Sequence, residues 1–94
     1  MRVRWLRKAL RNLDDEASCI EVDSPEAARL VVQRVFDAVA MLPDQPGMGR
    51  PGRVPGTREL VVLKTRYIVP YRVRGQTIEV LGVFHTSRRL PERW

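Results

Sequence analysis

Ser24-Pro25-Glu26 interrupts what would otherwise be one continuous helical stripe. Upstream, Leu6, Ala9, Leu10, Leu13, Ala17 and Ile20 recur at helical spacing and so share one face. Arg7, Lys8, Arg11, Asp14, Asp15 and Glu16 fill the other. Downstream, Ala28, Val31, Val32, Val35, Val39 and Leu42 repeat the pattern to about Met41, and Pro43 stops it. At the break, a serine suits the N-cap and a proline tolerates the first turn, where its missing N–H costs nothing. Glu26 favours the positive end of the new helix. The chain therefore predicts two amphipathic helices with few residues between them, an antiparallel hairpin. Each has one apolar face, and both need a third surface to cover.

Strands supply that surface. Arg2-Val3-Arg4-Trp5 alternates as a short opening strand does. Three further strands are expected at Glu59–Lys64, Tyr67–Val73 and Thr77–Phe84, with a hairpin turn at Arg74-Gly75-Gln76. Tyr67, Val69, Tyr71 and Val73 then share one face, with the two tyrosines at the edge of the core, and Trp5 and Phe36 are expected to join helix to sheet. Pro70 cannot donate to a ladder, so a bulge or an unpaired edge is expected beside it. Residues 43–57 interleave Gly47, Gly49, Gly52 and Gly56 with Pro43, Pro46, Pro51 and Pro55, which makes a loop. It is long for so small a domain, and Arg50, Arg53 and the adjoining Arg58 suit either a solvated connector or a contact surface. The expectation is an α+β fold, one domain over residues 1–94: a short N-terminal strand, then an antiparallel helical hairpin packed on a small antiparallel sheet, in the order β-α-α-β-β-β.

Charge divides the chain unevenly. Residues 1–49 carry seven Arg/Lys against eight Asp/Glu, whereas residues 50–94 carry ten against three. All but Lys8 and Lys64 of the seventeen basic residues are arginine, a planar cation suited to bidentate contact with carboxylate or phosphate. Such a half is suited to an anionic partner, although basic charge also serves solubility alone. No apolar run is long enough to span a bilayer, and no signal peptide is evident at Met1-Arg-Val-Arg-Trp-Leu. Cys19 is the only cysteine, so a reducing cytoplasm is the expected setting, with the thiol inert. No metal-ligand spacing, phosphate loop or dinucleotide fingerprint occurs, so no metal or cofactor is expected.

Several strings, in this order, carry a family resemblance. They are Leu42-Pro43-x-x-Pro46, Gly49-Arg50, Gly56-Thr57-Arg58-Glu59-Leu60, Tyr67-Ile68-Val69-Pro70-Tyr71-Arg72-Val73 and Ile78-x-Val80-x-x-Val83-x-His85-x-x-Arg88. Together the chain resembles the RelE/ParE superfamily of type II toxin–antitoxin toxins, and the ParE-like branch more than the RelE-like one. The resemblance implies one of two modes of growth arrest. ParE-like toxins poison DNA gyrase by binding; RelE-like toxins cut mRNA on the ribosome. Either implies a cognate antitoxin in a hetero-oligomer, with an acidic, apolar segment that wraps the toxin and a DNA-binding half. That segment is expected to add a strand to a sheet edge or a helix against the hairpin. A role in plasmid or chromosomal stability would follow.

The two modes need different chemistry. RNA cleavage requires proton transfer and stabilisation of charge building on phosphorus. RelE-like nucleases resemble one another in an arginine that, matched through Tyr71, falls on Ile68 here, and the tail lacks a tyrosine. Both departures favour docking. For docking, Arg58, His85, Arg88, Arg89 and Trp94 are the candidate contacts, since arginine and tryptophan anchor interfaces. For nuclease action, the candidates are His85 as acid or base, with Arg66 and Arg88 at the phosphate. Glu59 is expected to pair with a neighbouring arginine. A basic interaction module without toxicity is a third reading.

Overall fold

The computed structural model describes residues 1–94. Strand β1 spans Arg2–Trp5, helix α1 Arg7–Asp23 and helix α2 Pro25–Ala40. Five strands follow: β2 (Arg50–Pro51), β3 (Arg58–Val61), β4 (Tyr67–Arg74), β5 (Thr77–Val80) and β6 (Phe84–His85). Ser24 alone separates the two helices. It is extended, at φ −156° and ψ 104°; its N–H donates to Ile20 in α1, and its Oγ accepts from Ala27 N–H in α2 at 3.1 Å. One residue thus ends one helix and caps the next.

The strands form one sheet in the order β1-β5-β4-β3-β2, with β6 also paired to β4. The β3–β4 and β4–β5 pairs are antiparallel, as expected, and so are the β2–β3 and β4–β6 pairs. The β1–β5 pair is parallel, so the sheet is mixed. The helical hairpin lies between β1 and the rest of the sheet in sequence, and it lets the chain return to β1 from a distance without a tight turn.

Two strand boundaries differ from expectation. β3 stops at Val61 because Lys64 takes a left-handed φ of 62°, and Thr65 folds the turn back by donating from its hydroxyl to Val62 O and accepting from Tyr67 N–H. The last strand breaks into β5 and β6. Tyr71 faces Val80, yet Ile68 faces Phe84, so one extra residue lies between them on the β5–β6 side. Pro70 O accepts from Leu81 N–H, which turns the donorless Pro70 nitrogen towards the same bulge. The bulge's Val83 N–H is taken up by Asn12 Oδ1 of α1 at 3.3 Å. Within residues 43–57, β2 forms a two-residue ladder inside the expected loop.

The core lies between the helices and one sheet face. Ala9, Leu13, Val35, Val39 and Leu42 meet Leu60, Val69, Tyr71, Ile78 and Val80 there. Trp5 and Phe36 pack at 4.9 Å, helix to sheet as expected, with Phe36 partly exposed. Leu10 does not join this face and is largely exposed. Tyr67 is nearly buried, and Tyr71 lies fully inside rather than at the core's edge.

Candidate functional site

The C-terminal tail returns to the sheet in two places. On the helix side, β6 carries His85 against Tyr67, whose ring meets the imidazole edge-on at 5.1 Å. The chain then turns, and Ser87 N–H donates to His85 Nδ1 at 3.1 Å. In neutral His85 that bond places the ring proton on Nε2, which faces away from the turn. Glu16, from the middle of α1, accepts from Tyr67 O–H at 3.2 Å and pairs with Arg88 at 2.5 Å. Burial first, and then the Glu16 charge, push the Tyr67 phenol up to about 12. It stays a neutral donor at physiological pH. Around these groups is an open cleft of about 460 Å³, which Phe84, Arg89 and Leu90 also line.

The cleft brings together three of the sequence candidates, His85, Arg88 and Arg89, and adds Glu16, which sequence reasoning placed on a solvated helix face. A carboxylate paired to Arg88 offsets its charge and opposes the approach of a phosphate. Arg66 is exposed and outside this cleft; its backbone carbonyl accepts from Thr86 N–H and so helps start the tail. Ile68, which the family resemblance matches to the nuclease arginine, is completely buried in the central strand.

On the other sheet face, Trp94 stacks near Phe84 at 5.2 Å, and Trp94 Nε1–H donates to Thr57 Oγ1 at 3.3 Å. The Arg53 guanidinium lies 5.3 Å from the Trp94 ring and donates to Pro91 O. Trp94 is therefore partly engaged within the fold. Arg58 is too: it donates to Gly49 O at 2.7 Å and holds the loop. Glu59 is buried, as few unpaired glutamates are; it pairs with Arg50 and accepts from Arg53 N–H. Cys19 is exposed and free. No group of three or more His, Cys, Asp or Glu side chains is placed to hold a metal ion. No helix is long and apolar enough to cross a membrane.

A second groove, of about 560 Å³ and more apolar, runs between α2 and β3. Ala38, Met41, Met48, Val61 and Leu63 line it, with Arg34 and Lys64 at its rim. β2 pairs only with Arg58 and Glu59, so the outer backbone edge of Leu60 and Val61 has no strand beside it.

A family model described as "ParE toxin of type II toxin-antitoxin system, parDE" matches residues 3–90. The chain is 45% identical over 91 residues to "Putative toxin Y4kP" of Sinorhizobium fredii, an alignment covering 97% of this chain and 94% of that protein. It is also similar to a chain of a solved structure titled "Chromosomal ParDE TA system from P. aeruginosa". The TM-score there is 0.84 at 34% identity, over 93% of this chain and 97% of that one.

Proposed function

The chain belongs to the ParE toxin family of type II toxin–antitoxin systems, and we propose that it arrests growth by binding DNA gyrase rather than by cutting RNA. The observation that carries this reading is Ile68. The position that resembles the nuclease arginine is a buried aliphatic in the central strand, where no cation can reach a phosphate. The ion pair between Arg88 and Glu16 points the same way. In this reading Arg88, Arg89 and His85 dock the tail on the target, and Trp94 holds the far end of the tail in place.

A cognate antitoxin keeps the toxin silent; the similar structure is titled as a ParDE TA system. Its toxin-binding segment fits the α2–β3 groove. An extended stretch adds to the open edge at Leu60 and Val61, apolar side chains enter between Met41 and Leu63, and acidic residues meet Arg34 and Lys64.

The test runs purified protein side by side on gyrase supercoiling and on ribosomes programmed with mRNA. Supercoiling is expected to be inhibited and the mRNA to stay intact; cleavage without gyrase inhibition would sink the reading. Arg88→Ala and Arg89→Ala are each expected to weaken inhibition about tenfold, as interface anchors do. His85→Ala is expected to weaken it only a few-fold. Loss of a general acid or base would instead cost about 10²–10⁴-fold.

A further inference from the structure

The face of the sheet turned away from the helices carries a feature that the toxin reading leaves unused. At the β1 end, strand register lays side chains out as a grid. Arg2 and Arg74 flank Thr77, and Arg4 and Arg72 flank Glu79. Four guanidinium groups stand at the corners, with one hydroxyl and one carboxylate between them. Strand spacing puts the two arginine columns about 9–10 Å apart and the two rows about 7 Å apart. Glu79 is nearly buried and organises three of the four, at 2.6 Å from Arg72, 3.6 Å from Arg4 and 3.9 Å from Arg74. Arg2 makes no ion pair or side-chain hydrogen bond. An open notch of about 520 Å³ lies among Arg2, Arg4, Arg74 and Thr77.

We propose that this arginine grid binds the phosphodiester backbone of duplex DNA without reading its sequence. The four arginines and Glu79 leave a surplus of three positive charges on one small, flat face. Guanidinium groups take phosphate oxygens in pairs, and Glu79 fixes the aim of three of them. The face favours nucleic acid over an acidic protein segment because of what it lacks. Protein interfaces concentrate apolar and aromatic side chains at their centre and deplete charge there, whereas DNA interfaces are polar and strongly positive. Around the notch the only hydrophobic lining residue is Val3. No aromatic ring lines the notch, so it offers no platform for stacking single-stranded bases, and the duplex backbone is the fitting ligand. The grid sits at the β1 end of the sheet and the apolar groove at β3, three places along the strand order, so a segment seated in the groove leaves the grid open. The inference is independent of whether the tail engages gyrase.

The experiment measures binding of the purified protein to a short random-sequence duplex by fluorescence anisotropy, between about 50 and 200 mM salt. Binding is expected to be on the order of micromolar at low salt, and log affinity is expected to fall linearly with log salt. The double variant Arg2→Ala/Arg74→Ala is expected to flatten that slope by about 1–2, since each lost phosphate contact removes about 0.9. Arg2→Ala alone, which breaks no ion pair, is expected to flatten it by about 1. Arg7→Ala/Arg29→Ala removes the same charge from exposed helix positions and is expected to leave the slope unchanged. Equal losses in the two double variants would overturn the proposal, because the effect would then be net charge alone. So would absence of salt-dependent binding, or Arg2-dependent capture of a poly-glutamate peptide in preference to the duplex.

Discussion

Tyr67 shows how one helix residue sets the chemistry of the tail. Its phenol is nearly buried and donates to Glu16, and its pKa is raised to about 12 by burial and then by the Glu16 charge. Because the folded value lies above the unfolded value of about 10, folding favours the protonated phenol. The stability this contributes is complete below about pH 10 and is lost as the pH rises towards 12. Absorbance titration of the phenolate should show one tyrosine ionising near pH 12. In Glu16→Gln that midpoint should move down while staying above the free value, since burial remains and the charge does not. The sequence set His85 and Arg88 close together beyond the last strand, whereas His85 itself belongs to β6 and only Arg88 lies beyond it. Glu16 was not legible, because at helical spacing it reads as one more solvated charge. Only the packing of α1 against β4, 51 residues later in sequence, gives it Tyr67, and only the return of the tail, 72 residues later, gives it Arg88.

The loop over residues 43–57 behaves as an element because one strand residue fastens it. Tyr71 O–H donates to Pro46 O at 2.7 Å and accepts from Gly49 N–H at 2.9 Å, inside the core. A side chain at Gly49 would meet the Tyr71 ring at 2.7 Å, so glycine there is a matter of close approach. Tyr71→Phe keeps the ring and strands both loop groups; it should cost about 1–3 kcal/mol in chemical denaturation. The two helices were readable from apolar spacing and from the Ser24 cap. The break between β5 and β6 was readable in part, since Pro70 signalled a missing donor. The parallel pairing of β1 was not, because alternation in Arg2–Trp5 fixes which side faces the core but not which strand lies alongside or in which direction it runs.

At the scale of the molecule, the sheet separates two environments. One face is sealed by the helices, and the other carries the charged rows and the far end of the tail. The far end of the tail is held there by few contacts, namely the Phe84–Trp94 stack, the Arg53 cation beside the indole and two hydrogen bonds. Trp94→Ala should remove about 1–2 kcal/mol of that attachment. Trypsin should then cut at Arg89 and Arg93 about tenfold faster, while the helical circular dichroism signal stays intact because the core lies on the opposite face. Unchanged proteolysis would show that the tail does not depend on the indole. The parallel β1–β5 ladder has a consequence in time. The register joins Arg2 to Thr77, so the first strand to be synthesised waits for almost the last one. At about 5–20 residues per second on the ribosome, that wait is on the order of several seconds. Throughout it, the sheet lacks its parallel edge and Arg4 of β1 has no Glu79 to order it.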